Sequence, residues 1–223
     1  MKARDRETRD GLLEAAARLF ASRGFTQVTV RDICREAGAN VAAVNYHFGD
    51  KLGLYREVLH AAGTAMRSTL EAARAAGRDG DAEARLRAYI HVYLERVVGS
   101  AHDSWIHRLL WRELVDPTPA LDLIVQHAIR PRMAYLCALV GELLERPIDD
   151  GRVTRCAHSI HALCISLIPN PVSARLYPDV KMTPDAVAAF ADHIASFSLA
   201  GIRSMAGLKG RSGRPRRAQV RTR

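Results

Sequence analysis

The tightest constraint on this chain is its punctuation between residues 29 and 51, TVRDICREAGANVAAVNYHFGDK. Helix starts and stops follow so closely that only two short helices fit between them. Thr29 can N-cap the first, and Asp32, three residues on, completes a capping box. Val30, Ile33, Cys34 and Ala37 then fall at i, i+3, i+4 and i+7, one apolar stripe. Ala37-Gly38-Ala39 supplies the turn, because glycine takes the left-handed conformation that ends a helix. Asn40 caps the second helix, whose inward positions are Val41, Val44 and Phe48. Gly49 ends it, and Asp50 caps the longer helix that follows.

The other face of the second helix carries Ala42, Ala43, Asn45 and Tyr46, and no charge. Small residues let a helix end approach another surface, and its free N–H groups favour phosphate oxygens. An outward Asn can bond N6 and N7 of adenine, and alanine can contact a thymine methyl. Tyr46, His47 and Lys51 follow where a nucleic-acid backbone would pass. This is the arrangement of a helix-turn-helix reading element. The plain alternative is a structural helical hairpin with a polar face. On the first reading the DNA contacts are Thr29, Asn40, Val41, Ala42, Ala43, Asn45, Tyr46, His47 and Lys51, with Thr29, Tyr46, His47 and Lys51 on phosphates.

The stretch from about Asp10 to Val58 resembles the DNA-binding domain of TetR-family transcription regulators. LLEAAARLFASRGFTQVTVRDICREAGANVAAVNYHF followed by GDKLGLYREVL is similar to that domain's three helices and the start of its fourth. One departure is Asn45, where many members carry a second aromatic. The form NYHFGDKxGLY resembles the CecR/YbiH-type subset, as does RLLWRELVDPTPALDLIVQHAI from Arg108. The resemblance implies a homodimeric, ligand-responsive regulator of double-stranded DNA, a repressor released from a pseudo-palindromic operator by an unknown small-molecule effector. It also implies a helical body surrounding a ligand pocket.

The chain has 223 residues, 48% of them hydrophobic and 26% charged, which suits one or two modest domains with a sizeable core. Alanine and leucine abound and β-branched runs are short, so an all-α fold is expected. The charged start MKARDRETRD reads as no secretory signal, and no apolar run approaches the roughly 18 residues of a membrane span, so a cytoplasmic location is expected. Four scattered cysteines without a C-x-x-C read as reduced core thiols. The net charge of +9 is unevenly placed. Residues 1–55 hold nine basic and seven acidic residues, residues 56–206 seventeen of each, and residues 207–223 seven basic and none acidic. That last segment lacks aromatics and is rich in Gly, Arg and Pro, so it is expected to be a disordered basic tail, either solubilising or a non-specific phosphate arm.

About nine helices are expected. The first spans about Asp5 to Ser22, with Leu12, Leu13, Ala16, Leu19 and Phe20 inward and Gly24 ending it; Arg4, Arg6 and Arg9 read equally as a DNA-contacting arm or a solvated face. With the two short helices it makes a three-helix domain over residues 1–50. Residues 51–206 form a larger ligand-binding and dimerisation domain. Its first helix, about Asp50 to Ala75, is the natural link between head and body. Others follow over 81–98, 104–115 and 118–145, the last kinked near Ile129–Arg130 by Pro131. The eighth and ninth, about Asp150 to Ile168 and Thr183 to Met205, are more apolar than one buried stripe requires. Their excess faces read as a homodimer interface, a four-helix bundle from two copies, as the resemblance also implies.

Other chemistry has weaker support. His158, His161 and Cys164 sit at i, i+3 and i+6, but three ligands at most are short of what zinc takes, so neither a metal nor another cofactor is expected. His102, Trp105, His107, Trp111 and Glu113 cluster without any nucleophile motif, so no enzyme activity is expected. Trp105, Trp111, Cys137 and His161 are the candidate ligand-pocket residues. The competing reading of the whole chain is a small-molecule-binding or thiol redox-sensing helical protein without sequence-specific DNA binding.

Overall fold

The computed structural model describes residues 3–99 and 105–207, and all regular structure among them is helical. The helices are α1 (Ala3–Arg23), α2 (Val30–Ala37), α3 (Val41–Phe48), α4 (Lys51–Ala76), α5 (Ala82–Leu94), α6 (Trp105–Val115), α7 (Leu121–Ile124), α8 (Arg130–Leu144), α9 (Gly151–Ser166), α10 (Pro171–Leu176) and α11 (Pro184–Gly207). Their starts follow the capping residues. Asp50 Oδ1 accepts from the Gly53 amide at 2.7 Å, Asp81 from Ala84 at 2.8 Å and Asp150 from Arg152 at 2.8 Å. Asn170 caps the short α10, where the sequence allowed a loop or a helix. His102 and the basic tail beyond Gly207 lie outside the described residues.

The helix expected from residue 118 to 145 is α7 and α8 joined by a wide π-turn, Val125–Ile129. Pro131 is the cause. It has no N–H to give the carbonyl four residues back, and its ring crowds that carbonyl. That carbonyl is His127 O, which accepts instead from Arg67 Nη1 at 3.4 Å. A second π-turn, Glu95–Gly99, extends α5.

Apolar burial falls into two clusters. The head cluster gathers Leu12, Phe20, Ile33 and Val44 of α1 to α3 with Leu54, Tyr55, Val58 and Ala62 of α4, Leu109 of α6 and Ile124 of α7. The body cluster gathers α5, α8, α9 and α11, together with Leu70 and Ala73 of α4. Helix α4 therefore contributes its first half to one core and its last turns to the other. The expected division at residue 50 falls at the N-cap of α4, and apolar packing continues across it.

Candidate nucleic-acid interface and its coupling to the body

The reading hairpin is built from reciprocal local bonds. The Asp32 amide donates to Thr29 Oγ1 at 3.1 Å, and the Thr29 amide and hydroxyl donate to Asp32 Oδ2 at 3.1 and 2.6 Å. Those bonds from Thr29, its hydroxyl first, hold the Asp32 carboxyl below its usual pKa. Gly38 ends α2 at φ +62°, and the Ala39 amide closes the turn on Cys34 O at 2.9 Å. Asn40 Oδ1 then accepts from the Ala42 amide at 3.0 Å, which fixes where α3 begins. Helix α4 follows with no room to spare. A Cβ on Gly53 would lie 2.0 Å from Phe48 O, so only glycine lets α4 start this close to α3.

The expected contact residues divide into two groups. Thr29, Asn40, Val41, Ala42, Asn45 and Tyr46 are exposed, with Tyr46 at 76%. Val41 is a correction to the inward stripe, since 41% of it is exposed while Val44 is fully buried. Ala43 is half-buried against the head core. His47 is a second correction. Its side chain is only 6% exposed, and Nε2 lies 3.4 Å from the Asp5 carboxylate, so it faces α1 rather than a passing phosphate. Lys51 is turned partly inward as well. Its ammonium donates to Phe25 O at 2.9 Å and Val28 O at 3.0 Å and sits 4.3 Å from the Phe25 ring centre. Two of its three donors thus brace the loop before α2, one remaining for a phosphate. Arg9 donates to Glu57 at 2.6 Å and lies 5.3 Å from the Phe48 ring, tying α1 to α4 rather than forming an arm.

Helix α6 locks the body to this head. Arg112 Nε donates to Ala21 O at 3.2 Å and Nη2 to Ser22 O, so a guanidinium caps the carbonyl end of α1. The next residue, Glu113, is buried. It accepts from the Tyr55 hydroxyl of α4 and from the Thr118 amide at 3.1 Å. Burial, then the Glu113 carboxylate, push the Tyr55 hydroxyl pKa well up. Tyr55 also packs edge-on to Phe20 with ring centres 4.9 Å apart.

The expected pocket residues do not converge. Trp111 is 69% exposed, a correction to its place in a lining: the α6 face it occupies points away from both cores. Trp105 is half-buried against the head core, whereas Cys137 packs against the body core. His161 meets Tyr93 edge-on at 6.1 Å, and burial, with Arg132 second, lowers its pKa to about 4. The residues that gather with it are Arg132, Tyr89, Tyr93 and Cys164. Of these, Arg132 carries a local signal that the sequence reading missed, because Leu136, Leu139, Val140 and Leu144 of the buried stripe stand at i+4, i+7, i+8 and i+12 from it. The spacing His158, His161, Cys164 spreads over exposed, half-buried and buried positions. Among the described residues no group of three or more His, Cys, Asp or Glu is placed to hold a metal ion, and no helix is long and apolar enough to cross a membrane.

A capped helix-turn-helix carried on a helical body defines a transcription regulator of the helix-turn-helix class. Residues 12–58 match the model for bacterial regulatory proteins of the tetR family, and residues 82–202 match that for the C-terminal domain of the HTH-type transcriptional dual regulator CecR. The chain belongs to the TetR family, in the group with a CecR-type C-terminal domain. It is 33% identical over 186 residues to the HTH-type transcriptional regulator BetI of Agrobacterium fabrum, covering 78% of this chain and 87% of that one. It is 38% identical to the HTH-type transcriptional repressor BepR of Brucella suis over 58 residues, only 26% of this chain and 28% of that protein. The fold is shared with a TetR-family transcriptional regulator from Streptomyces coelicolor, at a TM-score of 0.65 and 21% identity, covering 88% of this chain and 90% of that one.

Proposed function

We propose that the protein is a dimeric, ligand-responsive repressor that reads a pseudo-palindromic operator with α3. The observation that carries this reading is the exposed, uncharged face of α3, with Val41, Ala42, Asn45 and Tyr46 outward beside two amide-rich helix starts at Thr29 and Asn40. Asn45 and the small residues would read base edges. Thr29, Asn40 and Tyr46 would hold phosphates together with the remaining N–H of Lys51. Ala43 would set how closely α3 approaches.

One such helix reads only a few base pairs, so a second copy is needed about 34–36 Å on or somewhat further. Helices α9 and α11 are proposed to supply that dimer. Phe197 is 63% exposed on α11 and its ring stacks on His193, while Ile165 is exposed on α9. An effector bound in the body would shift α4 and α6 and spoil the half-site spacing. It does so only if it binds the non-reading arrangement more tightly. The reading includes no catalytic step and places the protein in the cytoplasm with its DNA.

The test is binding to the protein's own upstream DNA beside scrambled DNA at near-physiological salt. Asn45→Ala should lose about 1–3 kcal/mol on the specific site and little on random DNA. Equal losses on both would refute base reading by α3, and a monomeric mass at micromolar concentration would refute the dimer.

A further inference from the structure

Among the described residues, four buried polar side-chain atoms have no hydrogen-bond partner: Tyr89 OH, Arg132 Nε, His161 Nδ1 and Ser198 Oγ. All four belong to body helices, on α5, α8, α9 and α11. The first three meet around one ring. The Arg132 guanidinium lies 5.3 Å from the centre of Tyr93, which stacks on Tyr89 at 5.9 Å and meets His161 at 6.1 Å. Tyr89 and Tyr93 are almost fully buried and Cys164 is fully buried.

Arginine is permanently charged, and although Arg132 as a whole is half-buried, its Nε is buried, where a polar group normally finds a partner. None of the ion pairs among the described residues includes Arg132. Nor do its neighbours supply a negative charge. Burial pushes the Tyr89 and Tyr93 hydroxyls up and the Cys164 thiol up to about 12, so all three stay neutral. His161, lowered to about 4, is neutral as well. The group as it stands is one cation, two phenols, an imidazole and a thiol, with Tyr89, Tyr93 and Cys164 in the apolar core and the half-buried Arg132 and His161 at its edge.

We propose that this cluster is the polar end of the effector site, and that the effector is a small organic carboxylate with an apolar or aromatic body. The inference rests on the regulator reading above and names the class of molecule that reading leaves open. A planar carboxylate matches the guanidinium fork, and neutral Tyr89 and His161 can each donate a hydrogen bond to its oxygens. A single cation suits a monoanion better than a phosphate dianion. The surrounding apolar cluster suits a hydrocarbon or ring behind the carboxylate. A hydrogen bond near the start of the same helix reaches the head side: Arg67 of α4 donates to His127 O in the turn that leads into α8, the helix that carries Arg132.

The test titrates the full-length protein with benzoate, 2-naphthoate and decanoate, each beside its neutral amide, following melting temperature. At least one carboxylate should raise it in proportion to concentration while its amide does not. Arg132→Met should weaken that carboxylate by roughly 30-fold or more, and Tyr89→Phe by about tenfold, as expected for losing hydrogen bonds to a charged group. Without ligand, Arg132→Met should melt close to the parent, because the unpartnered Nε goes with the ring contact to Tyr93. Failure of all three carboxylates, an equal response to the amides, or an undiminished response in both variants would overturn the proposal. The parent protein is assayed on its upstream DNA in parallel. Specific DNA binding with no carboxylate response sinks the effector class alone, whereas a carboxylate response without specific DNA binding sinks the regulator reading alone.

Discussion

Tyr55 in the head and Tyr89 in the body are each 1% exposed, yet only Tyr55 has a partner for its hydroxyl. The contrast extends around each of them. In the head, Thr29 and Asp32 satisfy each other, Asn40 and Asp50 cap their helices, Lys51 closes two loop carbonyls, and Glu113 takes both Tyr55 and a main-chain amide. In the body, a phenol, a guanidinium nitrogen, an imidazole nitrogen and a hydroxyl are buried without partners. An unpaired buried polar group costs about 1–3 kcal/mol, so the two regions differ in how far their polar groups are satisfied within the chain. The head closes its polar groups on one another and leaves the face of α3 outward, whereas the body leaves four of its own open.

Substitutions can break or sharpen that contrast. The largest effect is expected for Gly53→Ala. The new methyl would meet Phe48 O, and the forced parting of α3 from α4 should cost at least about 3 kcal/mol and abolish specific DNA binding. Urea unfolding together with DNA titration checks it. Next comes a matched pair. Tyr55→Phe should cost about 2 kcal/mol, because the buried Glu113 carboxylate loses a donor. Tyr89→Phe should be neutral or stabilising without ligand, because it removes a hydroxyl that has nothing to bond. Equal costs in urea would erase the distinction between the two cores.

A smaller effect concerns pH. The His161 pKa in the folded chain, about 4, lies below the ordinary value of about 6.5, so the unfolded chain takes up a proton that the folded one refuses. Its contribution is fully present above about pH 6.5 and is lost as pH falls toward about 4. For a half-buried group the loss should be on the order of 1–2 kcal/mol. His107, also lowered by burial, pulls the same way, so His161→Phe should flatten the slope between pH 7 and 5 without removing it. The smallest change is Thr29→Ala, about 1 kcal/mol for the lost α2 cap, read as a lower melting temperature.

Legibility in the sequence divides along the same line. Capping boxes, αL glycines and apolar stripes are signals within a few residues, so the bounds of α2, α3 and α4 could be read directly. Lys51 and His47 could not be oriented that way, because their partners sit at Phe25, Val28 and Asp5, set by how α1 packs. The candidate pocket failed for a similar reason. Trp105 and Trp111 are large aromatics, but a tryptophan on a helix that packs along one face only can point outward, as Trp111 does. The residues that do gather come from three separate helices, α5, α8 and α9, so their meeting needs the fold, and the place of Arg132 in an apolar stripe is a local signal that the sequence reading passed over. Glu113 belongs to a cluster visible in the sequence, but its bond to Tyr55 spans 58 residues and needs the fold.

The wide turn at Val125–Ile129 bears on how chains of this kind can differ in length. A π-turn wraps one more residue than an ordinary helical turn, so it stores a one-residue insertion without rotating the helix beyond it. Ile124 before it belongs to the head core and Leu136 after it to the body core. A chain one residue shorter here, with an ordinary turn in place of the wide one, would present the same two faces. The same deletion in the middle of α4 would turn one core about 100° against the other. Relatives should therefore vary in length at this turn and hold α4 constant.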